Sequence, residues 1–369
     1  MNIIDHIHVE PKAEIPLVAQ LTQQITWLIA SGELQEGEKL PPIREFARVL
    51  GIHMHTIRAA YQRLEADMLV SVRPGRGTIV LPFNPSYFAE THSTLPSFLI
   101  GVILPAPAPF YQPYIEGITH ASSDNRWMPI FCYFGDNSLL VERYIHQLIA
   151  KQVDGFIVTS PGATDILENL TQNDQFPPVV FVDAPHIQHN SILADLEGAV
   201  HQATNHLIEH GHKRVGLITA PLDWENVTPC YQGYQNALIE QGLEFDPNLV
   251  VEVSDFNPES GYEGALELIK KDNPPSAAFI IADGLAIGAL QALEKSGVVV
   301  PKDLAITSFN NIEAAAIVSP ALTTASFPAY EIGVLAAQRL QDLLSGKKPE
   351  EGQTILESHL VIRQSCGCP

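Results

Sequence analysis

The chain has 369 residues, a formal net charge of −21 at pH 7 and four cysteines. This length exceeds what one ordinary hydrophobic core holds, so the sequence predicts at least two domains. It has no run of about twenty apolar residues and no N-terminal secretory signal, and its few cysteines do not form a disulfide framework. These features exclude a membrane-spanning protein and a disulfide-rich secreted protein, and they favour a cytoplasmic protein.

The negative charge is distributed unevenly along the chain. Residues 1–80 contain 8 Lys and Arg against 9 Asp and Glu, a balance of −1, whereas the remainder contains 13 against 33, a balance of −20. Six arginines lie in the N-terminal segment: Arg44, Arg48, Arg58, Arg63, Arg73 and Arg76. Because phosphate contacts supply most non-specific affinity for DNA, only this segment has the charge that DNA binding requires.

The first predicted element is an amphipathic helix from Pro16 to Ser31, with leucines and isoleucines recurring on one stripe. Two further short helices are predicted between residues 43 and 64, separated by Gly51, which lies where a helix end needs a left-handed residue. Two short helices joined by a glycine-containing turn form a helix-turn-helix, whose second helix enters the major groove of DNA.

A two-stranded ribbon is predicted after these helices. Its strands are Leu69–Val72 and Thr78–Leu81, and Pro74 to Gly77 form the tip. Helices followed by such a ribbon indicate a winged helix-turn-helix, and the alternative is a small helical subdomain without a role on DNA. The prediction therefore places a DNA-binding domain at residues 1–82. A proline-containing linker without periodicity follows at residues 83–97.

From residue 98 onward, short apolar strands alternate with helices. Strands are predicted at residues 98–104, 128–134, 153–160, 177–183, 214–219, 249–253, 277–282 and 304–309. Helices are predicted at Asn137–Lys151, Glu197–His210, Val227–Gln241 and Gly284–Ser296. Near-continuous apolar strands joined by helical crossovers predict an α/β fold of parallel sheets covered on both faces. Two such sheets in sequence predict two lobes with a cleft, and ligands of doubly wound sheets bind beyond the carboxyl ends of strands.

The sequence contains no common enzyme motif, so we predict that the protein is not an enzyme. A glycine-rich dinucleotide fingerprint, a phosphate-binding loop and a Gly-x-Ser-x-Gly elbow are all missing, and Cys230 has no evident partner. His206, His210 and His212 are better explained by a helix that ends at Gly211. Cys366 and Cys368 are too close in sequence to form a tetrahedral metal site without partners, and none is evident. We therefore predict no metal and no cofactor.

Two family resemblances extend this interpretation. Residues 16–80 resemble the GntR-family DNA-binding domain, with the motifs SGxLxxGxxLP, RxxAxxLG, TxxxAYxxL and GxGT in order. Residues 98–369 resemble the LacI-family effector domain, itself similar to periplasmic sugar-binding proteins, through segments such as KQVDGFIVTSP, PPVVFVDAP, PKDLAITSFNN and LVIRQSCG. Together they resemble the chimeric regulators of the arabinose-repressor type.

The resemblance implies a two-lobed effector domain of the periplasmic-binding-protein type I fold. The N-terminal lobe would comprise about residues 98–188 and 321–349, and the C-terminal lobe about residues 189–320 and 350–369.

On the DNA-binding side, the resemblance and the histidine-rich turn indicate eight contact residues. They are Arg44, His53, His55, Thr56, Arg58, Gly75, Arg76 and Gly77. This chain has Met54 where the family usually has an arginine, which removes a bidentate guanine contact worth about 1–3 kcal/mol of discrimination. His55 is as well explained by an exposed position near phosphate as by a base contact.

The resemblance also implies eight effector-binding residues, most of which lie at the ends of predicted strands. They are Phe110, Tyr111, Asp136, Asp183, Trp224, Asp283, Asn310 and Phe327. For each acid the alternative is a helix cap or turn, and Asp195 is better explained as a cap. Ala282, Cys230 and Phe327 stand where the family commonly has polar residues, so we expect a ligand less polar than a hexose phosphate.

These observations predict a repressor of carbohydrate genes that leaves its operator when a sugar or sugar derivative binds the cleft. Its expected partners are double-stranded operator DNA, the small-molecule effector and a second copy of the chain, without a membrane. Two alternatives remain. One is a sugar-binding protein that does not regulate transcription, and the other is an enzyme on the same scaffold.

Overall fold

The computed structural model describes residues 3–11, 16–73, 77–84, 87–88, 97–124, 127–135, 137, 139–159, 176–348 and 352–368. It confirms the predicted fold class, because a helical N-terminal domain with a two-stranded wing precedes α/β structure built on parallel sheets. No helix in the described part of the chain is long and apolar enough to cross a membrane.

The N-terminal domain has a three-helix core. Its helices are α1 (Leu17–Ala30), α2 (Ile43–Leu50) and α3 (Met54–Ala66). Leu21, Ile25, Phe46, Ile57 and Leu64 each retain no solvent-accessible surface and fill the space between the helices. Burial of such side chains contributes roughly 1.5–3 kcal/mol each, which is how three short helices become stable together.

A turn and a wing complete this domain. Gly51 ends α2 with a φ of 65°, as the sequence predicts, because a residue without a β-carbon adopts this conformation at little cost. The wing strands β1 (Val70–Arg73) and β2 (Gly77–Val80) are antiparallel, with Val70 opposite Val80. The predicted winged helix-turn-helix is therefore confirmed, and each predicted wing strand differs from the observed one by one residue.

The chain divides into two compact units. The first comprises Met1–Ala106, Ile118–Ala184 and Ala336–Glu350, and the second comprises Pro107–Gly117, Pro185–Leu335 and Glu351–Pro369. Two of the boundaries fall inside helices, Gln112–Asp124 and Ala329–Leu344.

The first unit has a parallel sheet of four strands beside the winged domain. These strands are β3 (Leu99–Leu104), β4 (Met128–Tyr133), β5 (Gly155–Thr159) and β6 (Val179–Val182), in the spatial order β6-β5-β3-β4. Every residue of β5 and β6 is buried, as expected for apolar strands covered on both faces. The helix Leu139–Ala150 follows β4, close to its predicted bounds.

The winged domain contacts this part of the first unit through α1. The Lys151 ammonium lies 4.9 Å from the centre of the Trp27 ring, and the Arg143 guanidinium lies 3.8 Å from the Glu33 carboxylate. These contacts are largely exposed, so each contributes at most about 1 kcal/mol. These two polar contacts therefore contribute little to holding the domain on this unit.

The second unit contains a pair of strands and a larger sheet. The parallel pair is β7 (Ser191–Ala194) with β13 (Gln353–Leu356). The other strands are β8 (Val215–Thr219), β9 (Val250–Glu252), β10 (Ala277–Ile280), β11 (Ala305–Asn310), β12 (Thr323–Ser326) and β14 (His359–Val361). Their order is β14-β12-β11-β10-β8-β9, with β14 antiparallel to β12 and the rest parallel.

Helices connect the strands of the second unit. They span Leu196–Glu209, Thr228–Glu240, Pro258–Ile269, Asp283–Lys295 and Glu313–Ile317. Three of the five were predicted from the sequence to within one residue at each end, and Pro258–Ile269 and Glu313–Ile317 were not. In Pro258–Ile269, Gly261 and Gly264 lie on the buried side, where an added β-carbon would approach neighbouring atoms closer than 3.0 Å. Close packing therefore favours glycine here despite its low helix propensity.

The predicted lobe boundaries require correction at two places. The segment beginning at residue 321 was assigned to the N-terminal lobe, but β12 pairs in parallel with β11, and the chain enters the first unit only at Ala336. Pro107–Gly117 also belongs to the second unit. Strand β12 has the sequence TTAS and lacks the apolar pattern of a buried strand, although its first three residues are buried. The sequence pattern therefore does not reveal that this strand belongs to the second unit, because its small polar residues are buried only by the sheet around them.

Candidate DNA-binding and effector sites

The N-terminus of α3 carries an exposed pair of histidines. His53 is the N-cap, and its Nδ1 accepts a hydrogen bond from the backbone N–H of His55 at 3.3 Å. The two imidazole rings stack at 5.0 Å with an interplanar angle of 9°. Ser, Thr, Asp and Asn usually satisfy this orphan donor. Here a histidine provides the cap and also extends the polar surface at the start of the helix.

A guanidinium lies beside this pair. Arg58 Nη1 is 3.5 Å from His55 Nδ1, one turn further along α3. Arg44 and Arg58 are both exposed, and Thr56 is half-buried. The described candidate DNA contacts on α3 therefore lie within one and a half turns of its N-terminus, the end of a recognition helix that meets base edges.

The other candidate DNA contacts belong to the wing. Gly77 begins β2 with a φ of 91°, a left-handed conformation that favours glycine. Gly75 and Arg76 lie outside the described residues. Met54, which replaces the family's usual arginine, is 42% exposed, so a thioether stands on the surface where a base-reading cation is expected.

In the second unit, four candidate effector residues lie at one edge of the larger sheet. Trp224 follows β8, Asp283 follows β10, Asn310 ends β11 and Phe327 follows β12. Because these strands are parallel, their carboxyl ends lie at the same edge. This is the edge at which doubly wound sheets bind ligands.

An aromatic cluster joins a separate segment to this edge. The ring of Phe110, in the short helix Pro109–Tyr111, lies 5.0 Å from that of Phe327 and 5.0 Å from that of Tyr111. Phe309 also contacts Phe327, at 5.8 Å. The structure thus brings together three candidate residues from distant parts of the sequence. Trp224 forms a separate pair with Phe256 at 5.6 Å and is 38% exposed.

Asp283 is completely buried within this edge. One carboxylate oxygen accepts a hydrogen bond from Ser308 Oγ at 2.5 Å, and the other accepts one from the backbone N–H of Ile312 at 2.8 Å. Burial raises the pKa of Asp283 to about 6, although these hydrogen bonds and the Arg363 guanidinium act in the opposite direction. Through its hydrogen bond to the Ile312 N–H, the carboxylate therefore fixes the backbone that follows β11.

The two residues at the end of β11 have unusual backbone conformations. Asn310 and Asn311 have φ values of 112° and 56°, and asparagine tolerates the left-handed region better than most residues. Arg363 Nη2 donates to Asn311 Oδ1 at 2.6 Å, and Asn311 Nδ2 donates to Ser326 Oγ at 3.2 Å. Sequence reasoning missed Arg363 and Asn311, because their pairing spans 52 residues and follows no local pattern.

The remaining candidates are placed differently. Asp183 is half-buried in the first unit with a φ of 55°, and Asp136 lies outside the described residues. Asp195 accepts a hydrogen bond from the backbone N–H of Gly198 at 2.8 Å, which confirms its predicted role as a helix cap. Cys230 is buried and its thiol donates to the backbone carbonyl of Asn226, so it is a core residue.

Comparison with known proteins identifies both parts of the chain. Residues 17–80 match the model for bacterial regulatory proteins of the gntR family, and residues 204–366 match a periplasmic binding protein-like domain. Over 262 residues, 70% of this chain, the sequence is 30% identical to the transcriptional repressor CytR of Escherichia coli K12 and covers 75% of it. The chain belongs to the LacI-type family of bacterial transcriptional repressors.

Other members of this family agree with the assignment. The ribose operon repressor of Haemophilus influenzae is 30% identical over 292 residues, 77% of this chain and 86% of that protein. A LacI family regulator from Enterococcus faecium, solved with bound ribose, is 26% identical with a TM-score of 0.63. That match covers 72% of this chain and 98% of the solved one. CytR and the ribose operon repressor are both repressors of transcription, and the gntR-type domain marks the DNA-binding end of this chain.

Proposed function

We propose that this repressor binds operator DNA through α3 and its wing, and that a sugar or sugar derivative bound in the second unit releases it. The observation that carries the proposal is the exposed cluster of His53, His55 and Arg58 at the start of α3, in a chain of a repressor family. A single winged helix contacts few base pairs, so we propose that a homodimer reads two half-sites. Such a repressor acts where the DNA lies, in the cytoplasm.

The proposed effector site is the carboxyl edge of the larger sheet in the second unit. Phe110 and Phe327 form an apolar wall there, and Trp224 offers an exposed aromatic face suited to the C–H groups of a sugar ring. Asn310 supplies an amide for hydroxyl groups. The solved relative from Enterococcus faecium holds ribose, which supports a sugar as the effector of this chain.

The coupling between the two ligands is a difference in affinity. A coupling free energy of about 1–3 kcal/mol between effector and operator is usual for allosteric proteins. With this coupling, a saturating effector weakens operator binding about 5- to 150-fold. By reciprocity, operator DNA weakens effector binding by the same factor.

Operator binding is tested with Arg44→Ala and Arg58→Ala, on DNA selected by the wild-type protein from random sequences. Each substitution should weaken binding about 5- to 150-fold, since a bidentate base contact is worth about 1–3 kcal/mol. Arg63→Ala is the matched control, because five residues further along α3 place it about 140° around the helix from Arg58. Unchanged binding after both substitutions would contradict the DNA assignment.

The effector is sought by thermal unfolding with pentoses, hexoses, disaccharides and sugar phosphates, since a ligand of the native state raises its stability. Trp224→Ala should abolish the shift that the best sugar produces in the wild type. Ile239→Ala is the control, because this exposed residue lies at the opposite end of a helix that begins at the carboxyl edge. A sugar that binds without weakening operator affinity would indicate a sugar-binding protein instead of a regulator.

A further inference from the structure

Three metal-binding side chains from distant parts of the sequence meet in the second unit. The ligand atoms of His206, His210 and Cys368 all lie within 4.8 Å of one another. Cys368 Sγ is 3.1 Å from His206 Nε2. Thiolate and imidazole are the ligands that zinc prefers in proteins. None of the three side chains belongs to the candidate DNA-binding or effector site.

The two histidines share one face at the end of the helix Leu196–Glu209. Their spacing of four residues stacks them one turn apart, with ring centres separated by 4.4 Å. His210 Nδ1 lies 2.7 Å from the backbone carbonyl of His206, an arrangement in which Nδ1–H donates and Nε2 keeps its lone pair for a cation. Metal-binding histidines are commonly oriented by such a hydrogen bond.

The segment that carries Cys368 is fixed to the sheet of the second unit. Ser365 Oγ donates to the backbone carbonyl of Ile306 at 2.7 Å and accepts from the backbone N–H of Thr323 at 2.8 Å. Gly367 then turns the chain with a φ of 77°. Because this anchor and turn are built into the fold, Cys368 is brought to the histidines without any cation.

Cys366 provides another thiol next to this cluster. It is buried, and its side chain interacts with that of Cys368. In the structure the Cys366 thiol donates to the backbone carbonyl of Arg363, so a rotation about its side-chain bond is needed before it turns to the cluster. In a tetrahedral site, the fourth position would be filled by Cys366 after this rotation or by water.

We propose that His206, His210 and Cys368 bind a zinc ion that ties the C-terminal segment to the helix Leu196–Glu209. In tetrahedral zinc sites, with bonds of about 2.0–2.1 Å to nitrogen and 2.3 Å to sulfur, adjacent ligand atoms lie about 3.5 Å apart. The Cys368 Sγ to His206 Nε2 distance of 3.1 Å is close to this spacing, and the other ligand atoms, all within 4.8 Å, reach it by side-chain movement. On binding, the Cys368 thiol releases its proton to solvent and coordinates as the thiolate.

This site revises the prediction of no metal. Sequence spacing associates Cys366 with Cys368 and His206 with His210, but it does not show that these two pairs meet across about 160 residues. The inference does not depend on the proposed effector, because zinc binding is measured without DNA or sugar.

The test uses the full chain, kept reduced, freed of metal with a chelator, incubated with zinc chloride and dialysed. Elemental analysis should find about one zinc per wild-type chain, and none in Cys368→Ser or His210→Gln. His210 is exposed, so its substitution leaves the core intact. His212→Gln is the matched control, since His212 lies two residues away but its Nδ1 is 2.9 Å from Ser276 Oγ. It should retain its zinc.

Cobalt(II) gives a second measurement that is specific for the thiolate. The wild type and His212→Gln should show a near-ultraviolet band from charge transfer between thiolate and cobalt, and Cys368→Ser should not. Cys132→Ser, in the first unit, should keep the band. Zinc should also raise the unfolding temperature of the wild type and not that of His210→Gln, when the two metal-free proteins have equal circular dichroism. A wild type without zinc, or equal zinc in all variants, would overturn the proposal.

Discussion

The winged helix-turn-helix and the carboxyl edge of the second unit use polar residues in different ways. Around the N-terminus of α3, His53, His55 and Arg58 are exposed, whereas the buried side chains of this helix are those of Ile57, Ala60, Tyr61 and Leu64. At the carboxyl edge, Asp283 and Ser308 are completely buried and hydrogen-bonded to each other. In the first region most of the candidate recognition residues therefore lie outside the core, and His53 also caps a helix. In the second region the polar side chains are held in the interior by hydrogen bonds, because buried polar groups without partners are costly.

The largest expected effect of a substitution is at the buried acid. Asp283→Ala leaves the Ile312 N–H and the Ser308 hydroxyl without their acceptor, and it creates a cavity. We expect a loss of about 3–5 kcal/mol in the free energy of unfolding, measured by urea denaturation at about pH 4, where Asp283 is protonated in the folded protein. Asp272→Ala, at an exposed acid of the same unit, should cost less than about 0.5 kcal/mol. Equal losses of unfolding free energy in the two variants would show that the burial of Asp283 does not make it more important for stability than the exposed Asp272.

The stability of the protein should depend on pH because of the raised pKa of Asp283. The pKa of Asp283 in the folded protein is raised from 3.8 to about 6. The stability that this side chain contributes is therefore fully present at a pH below its pKa in the unfolded chain. It is lost as the pH rises through its pKa in the folded protein. Between about pH 4 and pH 6, the wild type should lose roughly 2–3 kcal/mol relative to Asp283→Asn. The measurement is urea denaturation of both proteins across this range. Parallel curves would argue against the raised pKa.

A smaller effect is expected at Met54 on the exposed surface of α3. Met54→Arg restores the arginine that the GntR family usually has, and the 42% exposed side chain has room for it. Selection from random DNA should then recover guanine at a new position, with about tenfold discrimination. Unfolding stability should stay within about 0.5 kcal/mol of the wild type. An unchanged DNA preference would place this residue away from the bases.

The smallest effect is expected for the cap of α3. His53→Ala removes the acceptor of the His55 N–H and should lower stability by about 0.5–1 kcal/mol. His55→Ala keeps the backbone N–H that donates to His53, so this substitution should lower the stability less. Chemical denaturation of the two variants compares them. A greater loss for His55→Ala would mean that ring stacking contributes more than the cap.

Several features were predictable because they depend on neighbours in sequence. The helices of the winged domain follow from apolar spacing of three and four residues, and the left-handed Gly51 follows from its place at a helix end. Asp195 was identified as a cap from its place before a helix. By contrast, β12 escaped prediction because its threonines are buried by the sheet around them and not by an apolar pattern of their own.

The sequence by itself determined the winged helix-turn-helix, the parallel α/β class and the family of repressors, since local periodicity and contiguous motifs encode them. Only the tertiary structure decided which side chains meet. It paired Arg363 with Asn311, packed Phe110 against Phe327, and brought Cys368 to His206 and His210. Such contacts depend on the order of strands in a sheet and on the path of the chain between units. Spacing along the sequence carries no information about either one.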